Sequence, residues 1–416
     1  MTLKETAKKF MPKFLLKVYH FKLALLGAVI FGFAGKSKSM KVIGVTGTSG
    51  KSTTVDLITR ILEEAGEKIA SISSIRFKVG DKEWENKYKM TMPGRFVIQK
   101  FLKQAKNAGC KYVVLEVTSE GVRQFRHKFI SFDTAVFTNL TPEHVESHGS
   151  FENYRNEKLK LFKATKNIHV INIDDENAKY FLDTSVNKKI GFSFKYVKEV
   201  KLSENYSSFI IQNTEFKIQL LGEFNIYNAL AAICVAKNYG ISLEACKIAL
   251  ERVKGISGRM EIVAESPIKV VVDYAHTPEQ LEAVYKTFNP SASLRASKLV
   301  CVLGSCGGGR DKWKRPVLGK IASQYCKEII ITNEDPYDED PLSIIKDIES
   351  ALSNDGANQK YQIILDRKEA VETAIKMAKP EDVVIITGKG SEPWMCLENG
   401  RKVPWDDRQI VRDSLV

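Results

Sequence analysis

Between Gly44 and Thr54 the chain reads Gly-Val-Thr-Gly47-Thr48-Ser49-Gly50-Lys51-Ser52-Thr53-Thr54, which sets glycines, one lysine and several hydroxyls close together. Glycines let consecutive backbone N–H groups converge on phosphate oxygens, Lys51 adds a point charge, and the Ser52 hydroxyl can ligate Mg²⁺. The chemistry this supports is the grip of a nucleoside triphosphate; the bland alternative is a glycine-rich turn. Five residues rather than four separate Gly44 from Gly50, a departure from the strict phosphate-loop pattern.

A second acidic group belongs with this loop. Glu116 closes the apolar run Tyr112–Val117, at the end of a strand where open parallel sheets place their ligand-binding residues, and its carboxylate can reach a Mg²⁺ held by Ser52. The stretch Phe137-Thr-Asn-Leu-Thr-Pro-Glu-His144-Val-Glu-Ser-His148-Gly also ends a strand with a polar cluster. His20, His127 and His169 stand alone and read as structural histidines.

The elements that must position these groups follow from periodicity. Val42–Thr46 reads as a strand and Val55–Ala65 as a helix; Phe96–Ala108 is a helix, with strands at Tyr112–Val117 and Ala135–Asn139. This alternation predicts a doubly wound α/β domain around a parallel sheet. Residues 167–222 carry short alternating strands, Phe209–Gln212 and Phe216–Leu221, that suggest an antiparallel annex. Helices are expected over Asn225–Tyr239 and Leu243–Arg252. A second, Rossmann-like α/β unit starts near Ile268, with strands Val270–Val272, Leu299–Leu303, Ile329–Thr332 and Val383–Thr387 and helices from Pro278 and Pro316. Ser257-Gly258 makes a hinge. Three segments result: a basic, apolar helical stretch over 1–40, a central nucleotide-binding domain over 41–257 and a C-terminal domain over 258–416.

At 416 residues, with 44% hydrophobic and 27% charged content, the chain is that of a globular protein of two or three domains. Its seven cysteines form no C-x-x-C pair, so neither a disulfide framework nor a zinc site is indicated, and a reducing cytoplasm is the expected setting. The net charge of +13 suits nucleic acid, an anionic membrane or acidic substrates alike, but no RNA-binding signature or zinc finger supports nucleic acid. In residues 1–38, lysines punctuate an apolar stretch whose uninterrupted part, Leu23–Gly35, is 13 residues long. A spanning helix needs about 20 apolar residues. The stretch therefore reads either as an interfacial helix on the inner face of a membrane or as a helix packed on the next domain, and cleavage as a signal peptide is not expected.

Several blocks occur in order: Gly47-Thr-Ser-Gly-Lys-Ser-Thr, the Glu116 strand, the Thr138–Gly149 cluster, Tyr154-Arg-Asn-Glu-Lys158-Leu-Lys-Leu-Phe162, Gly222-Glu-Phe-Asn225-Ile-Tyr-Asn228, Gly258-Arg259-Met-Glu, Asp273-Tyr-Ala-His276-Thr-Pro and Gly388-Lys-Gly-Ser-Glu392. Together they resemble the Mur ligases, most closely the type that adds the third amino acid of the peptidoglycan stem peptide. The resemblance spans residues 41–416 and accounts for the five-residue gap in the loop.

What the resemblance implies is amide formation by way of an acyl phosphate, made by moving the γ-phosphoryl group of ATP onto a carboxylate that an amine then attacks. Two Mg²⁺ ions are implied, one held by Ser52 and Glu116 and a second by Glu116 and His144. Lys158 matches the lysine that the family modifies with CO₂, and the resulting carbamate would give the second metal an anion in place of an ammonium. Asn225 and Asn228 match the adenine-recognising pair. Arg259, Asp273 and His276 match residues near the nucleotide, although Asp273 and His276 also suit a purely bracing role, and Lys312 is placed to face phosphates. Thr91, Met92 and Pro93 resemble the block that contacts the acceptor peptide. The implied protein is a cytoplasmic monomer acting on a muramoyl-peptide-type acceptor and an amino acid, with no nucleic-acid partner.

Two departures bear on substrate. The family's preceding domain, which holds the uridine diphosphate handle, is expected to be missing, because only about 40 residues precede the loop here; the acceptor is then held by the remaining surface or presented on a lipid. Enzymes that use diaminopimelate carry Asp-Asn-Pro-Arg, whereas this chain has Glu334-Asp335-Pro-Tyr337, and Tyr337 cannot pair with a carboxylate as a guanidinium does. Glu334, Asp335 and Glu392 suit a cationic side chain such as that of lysine, while Gly388 and Glu392 also match the diaminopimelate enzymes, so both amino acids stay open. A folylpolyglutamate-type or lipid II-amidating relative and a non-catalytic nucleotide-binding scaffold are the competing readings.

Overall fold

A computed structural model describes residues 12–88, 90–288, 298–352 and 360–415. Lys4, Lys8 and Lys9 of the basic leading stretch lie outside the described residues. The chain divides into two units. The first holds the described residues up to Pro142 together with Ser150–Gln219 and Glu223–Lys254; the second holds Gly255 onward together with the short segments Glu143–Gly149 and Leu220–Gly222.

The first unit is built on an eight-stranded sheet, β1 Lys41–Thr46, β2 Ile69–Ile72, β3 Arg76–Val79, β4 Lys82–Glu85, β5 Tyr112–Glu116, β6 Phe132–Phe137, β7 Ile168–Asn172 and β8 Lys188–Phe192, in the order β4-β3-β2-β5-β1-β6-β7-β8. From β2 to β8 every pairing is parallel, and β3 and β4 add an antiparallel edge. β1 is apolar from Val42 to Val45 and β5 from Tyr112 to Leu115 because both faces of these strands are covered. The helix Lys51–Glu64 packs on β1, β2 and β5, and the helix Glu223–Asn238 packs on it and on β7 and β8.

Three sequence expectations change here. The helix after the phosphate loop begins at Lys51, four residues before Val55, because Gly50 adopts φ +78° and turns the chain directly into the first helical turn. β6 begins at Phe132 rather than Ala135, since Phe132 already pairs with Val42 of β1, and it ends at Phe137. Residues 168–192 extend the main parallel sheet. The antiparallel annex is confined to β9 Lys198–Leu202, β10 Ser207–Ile211 and β11 Thr214–Ile218.

The leading stretch is helical over Lys13–Ile30. No helix among the described residues is long and apolar enough to cross a membrane.

The second unit carries a six-stranded sheet, β12 Glu261–Ala264, β13 Lys269–Val272, β14 Leu299–Leu303, β15 Glu328–Ile331, β16 Lys360–Ile363 and β17 Val383–Ile386, in the order β12-β13-β17-β14-β15-β16. Only β12 is antiparallel. Both edge strands escaped the sequence reading: β16 is wholly exposed and carries no apolar run, and β12 is only half-buried although Ile262-Val263-Ala264 is apolar. Cys301 on β14 and Cys326, just after the helix Lys314–Tyr325, form a disulfide with Cα atoms 6.1 Å apart, although the cysteine spacing indicated no disulfide framework.

Candidate active site

In the first unit the phosphate loop is tied down by the turn that follows β6. The backbone N–H of Thr48 donates to the Asn139 carbonyl at 2.9 Å and that of Ser49 to Asn139 Oδ1 at 2.8 Å, while Thr138 Oγ1 donates to the Ser49 carbonyl at 2.7 Å. Gly47 has no room for a side chain, because a Cβ there would lie 1.9 Å from Thr138 Oγ1. Lys51 bends back so that Nζ donates to the Thr48 carbonyl at 2.7 Å. Ser52 and Thr53 fall in the first helical turn, where backbone N–H groups lack intrahelical partners and favour anions.

Ser52 Oγ donates to Glu116 Oε2 at 2.9 Å, and the same oxygen accepts the backbone N–H of Ser74 at 2.9 Å. Ser74 Oγ lies 2.7 Å from Ser52 Oγ. Ser74 was not singled out from the sequence; it follows β2, a neighbour of β5 in the sheet, and the only available signal was the hydroxyl pair Ser73-Ser74 beyond a short apolar run. Among the described residues no group of three or more His, Cys, Asp or Glu side chains is placed to hold a metal ion. One carboxylate with two hydroxyls is nevertheless a donor set that fits Mg²⁺, which takes oxygen ligands and keeps several of its waters.

Lys158, on the helix Phe151–Ala164, is buried, with Nζ 2.6 Å from the Gly47 carbonyl and 4.5 Å from the centre of the Tyr154 ring. The Tyr154 hydroxyl lies 3.1 Å from Thr48 Oγ1. Asn228 Nδ2 donates to Asn225 Oδ1 at 3.0 Å, and Asn228 Oδ1 accepts from Thr54 at 3.3 Å. A Cβ on Gly50 would lie 2.3 Å from that oxygen, so Asn228 braces the phosphate loop.

The loop containing Thr91, Met92 and Pro93 is anchored beside Ser74. Buried Asn86 donates to the Ser73 carbonyl at 2.8 Å and to the Met90 carbonyl at 3.1 Å, and Arg126 donates to the Met92 carbonyl. Phosphate loop, Glu116, Lys158, the asparagine pair and the Thr91 block thus belong to one connected network.

In the second unit, His144 has φ +56° and precedes the short helix Val145–His148, whose first N–H groups donate to Asp311 at 3.3 and 3.0 Å. Buried Glu143 lies 2.7 Å from His276 Nε2 and 3.6 Å from His144 Nε2. Burial would raise the Glu143 pKa, but the charge of His144, the hydrogen bond and charge of His276, and Lys314 outweigh it and hold the carboxyl well below its ordinary range. The backbone N–H of Lys312 donates to Glu146 at 2.9 Å and its Nζ pairs with Glu339 at 2.8 Å.

Asp273 spends both oxygens on backbone, accepting Met260 N–H and Ala275 N–H at 2.6 Å each, while Arg259 lies over the Tyr274 ring at 4.2 Å. Loops after β13, β15 and β17 bring Glu334, Asp335, Gly388 and Glu392 beside these residues. Lys389 Nζ donates to Asp335 Oδ1 at 2.9 Å, Glu392 Oε2 at 2.8 Å and the Trp394 carbonyl at 2.8 Å. Glu392 Oε1 also accepts the Tyr274 hydroxyl at 3.2 Å. Glu334 is 2% exposed; Cys306 Sγ donates to its Oε1 at 2.9 Å, while its Oε2 has no hydrogen-bond partner among the described residues. Gly388, at φ +106°, leaves that oxygen its space, since a Cβ would lie 2.1 Å away. Tyr337 adopts φ +54° and its ring packs against Gly308. Arg310, Lys389 and Glu143 escaped notice as site residues; Arg310 carries a guanidinium into the electrostatic neighbourhood of Cys306, Tyr274, Tyr337 and Glu143. Its place in the glycine-rich turn after β14 was the only sequence signal.

Comparisons with known proteins accord with this arrangement. The profile of the Mur ligase middle domain matches residues 45–236, and that of the Mur ligase, glutamate ligase domain matches residues 258–390. The chain is 38% identical over 407 residues to the UDP-N-acetylmuramoyl-L-alanyl-D-glutamate--2,6-diaminopimelate ligase of Syntrophomonas wolfei, covering 94% of this chain and 81% of that protein. It is 35% identical over 421 residues to the UDP-N-acetylmuramyl-tripeptide synthetase of a Roseiflexus species, with coverage of 94% and 81%. A solved structure of a UDP-N-acetylmuramoyl-L-alanyl-D-glutamate--2,6-diaminopimelate ligase matches with a TM-score of 0.60 at 29% identity, over 91% of this chain and 78% of that one. With both units matched by its profiles and relatives this similar across four-fifths of their length, the chain belongs to the Mur ligase family.

Proposed function

We propose that the protein is an ATP-dependent ligase that joins an amino acid to the carboxylate of a muramoyl-peptide-type acceptor in the cytoplasm, as a monomer, during peptidoglycan precursor synthesis. The observation that carries this reading is the Ser52–Glu116 contact of 2.9 Å at the head of the helix that follows the phosphate loop. It pairs a triphosphate-binding backbone with a carboxylate and a hydroxyl suited to Mg²⁺.

In this reading the loop 47–53 and Lys51 hold the triphosphate, the Asn225–Asn228 pair holds the base and Thr91–Pro93 face the acceptor. The γ-phosphoryl group passes to the acceptor carboxylate, ADP leaves, and the amine then displaces phosphate to form the amide. Ser52 and Glu116 would hold one Mg²⁺, and Glu116 with carbamylated Lys158 would contribute ligands to a second; the metal would supply charge neutralisation where two anions meet. The Lys158 ammonium loses a proton to become the amine, which adds CO₂ through a new N–C bond and loses a second proton to give the carbamate; the loss of two protons replaces a cation with an anion beside Gly47.

For the amino acid, the second unit favours 2,6-diaminopimelate over lysine. Asp335 and Glu392 already share the Lys389 ammonium, which leaves them poorly placed to attract a cationic side chain. Glu334 Oε2 is left to receive an ammonium, and Arg310 offers the guanidinium that Tyr337 lacks, to meet a second carboxylate. Relatives named for 2,6-diaminopimelate support the same choice.

The test is a matrix of nucleotide-linked, lipid-linked and free muramoyl-peptide acceptors against diaminopimelate and lysine. Phosphate release that needs both substrates, with the amide seen by mass spectrometry, is expected. Acceptor-independent phosphate release with no amide under any combination would overturn the ligase reading.

A further inference from the structure

The helix Lys13–Ile30 faces the rest of its unit with its smallest side chains. His20, Ala24, Gly27 and Ala28, at helical spacing i, i+4, i+7 and i+8, are buried, and the helix packs on the helix Arg95–Asn107. At Gly27 the approach is close enough that a Cβ would lie 3.7 Å from the Arg95 backbone. The large apolar side chains point the other way: Phe14 is 73% exposed, Val29 54% and Ile30 57%, with Leu15, Leu25 and Leu26 exposed between them. This inverts the usual order, in which the bulky residues of an amphipathic helix are the buried ones.

Lysines accompany this apolar face in the sequence. Residues 1–40 hold eight lysines against one glutamate. Lys17 and Lys22 are exposed on the helix itself, and Lys36 and Lys38 just beyond it. The Lys36 ammonium sits over the rings of Phe33 and Phe129, at 5.5 and 5.7 Å, and Phe21 packs on Phe125 and Phe129 at 6.0 and 5.6 Å. Long lysines at the margin of an exposed aliphatic and aromatic strip can lay their stems on apolar surface while the ammonium groups meet anionic headgroups. A second copy of the same face would bring like charges together, which disfavours self-association.

We propose that the outward face of this helix is a docking surface for an anionic lipid bilayer, on which the protein lies without spanning it. Apolar insertion and lysine attraction act together there, as in interfacial amphipathic helices. The proposal is independent of the ligase reading, because membrane partition and amide formation are measured separately.

The experiment is flotation of the full chain with phosphatidylcholine vesicles, with and without about 30% phosphatidylglycerol. Expected is co-flotation with the anionic vesicles, weakened about tenfold in their absence or at high salt. Leu25→Gln with Val29→Gln, both on exposed positions, should weaken it by about tenfold while turnover and circular dichroism stay unchanged. Lys17→Glu with Lys22→Glu gives a second route to the same loss should the first variant misfold. No flotation with anionic vesicles, or flotation that neither pair of substitutions alters, overturns the proposal. So does a concentration-dependent dimer that Leu25→Gln with Val29→Gln abolishes while lipid binding persists.

Discussion

Lys389 and Asp335 form an ion pair at 2.9 Å in which the two side chains are 1% and 2% exposed. Asp335 Oδ1 also accepts the Cys396 N–H at 2.7 Å, so a carboxylate that the sequence offered as a substrate contact is committed to holding two loops together. Lys389→Met takes the ammonium away from that buried carboxylate. A loss of about 3–5 kcal/mol in urea unfolding is expected, partly recovered when Asp335→Asn is added.

Glu334→Gln changes the group whose Oε2 has no hydrogen-bond partner among the described residues, with little change in volume. The fold should stay intact by thermal melting, while KM for the amino acid rises by about tenfold or more, because an ammonium then meets a neutral amide. An unchanged KM would remove Glu334 from the amine subsite.

Gly50→Ala places a Cβ at φ +78°, within 2.3 Å of Asn228 Oδ1. A cost of about 1–2 kcal/mol in stability is expected from the left-handed backbone alone. Calorimetric titration with MgATP should show at least about tenfold weaker binding, since the loop can no longer rest on Asn228.

Lys158→Ala should abolish amide formation. If the lysine acts as a carbamate, small carboxylates added to the variant should restore part of the turnover, and mass spectrometry under mild conditions should show the CO₂ adduct on the parent protein. Absence of both outcomes would count against the carbamate and leave Lys158 an ammonium that donates to the Gly47 carbonyl and lies over the Tyr154 ring.

His127 is buried, and burial first, then Lys128 and Lys160, lowers its pKa from the ordinary 6.5 to about 4. Below pH 6.5 the unfolded chain takes up a proton that the folded protein refuses. Stability should therefore fall as the pH drops from about 6.5 to about 4, by at most about 3 kcal/mol from this group. His127→Gln should flatten that part of the urea-midpoint profile and leave the profile above pH 7 unchanged.

The legibility of this chain followed the physics of each feature. β1, β5, β14 and β17 carry apolar runs because they lie inside parallel sheets, so their existence could be read directly from sequence. β4 and β16 are exposed edge strands and carried no such signal. The phosphate loop was legible because its chemistry is local, set by neighbours in sequence. Ser74, Glu143, Arg310 and Lys389 were not, because what matters about them is a partner far along the chain: Glu116 for Ser74, His276 for Glu143, Asp335 for Lys389. The Asn225–Asn228 spacing correctly put two amides on one helix face, yet spacing had no means of indicating that Asn228 also abuts Gly50.

The grouping of Glu143–Gly149 and Leu220–Gly222 with the second unit means that the polypeptide crosses from one unit to the other five times. A single proteolytic nick at Lys254 would therefore not yield two self-sufficient halves. The C-terminal fragment would lack Glu143, the acid that sits 2.7 Å from His276. Shuffling halves between relatives at that junction would likewise bring a foreign Glu143 segment to each His276, so the two parts are expected to be inherited, exchanged and engineered as one piece.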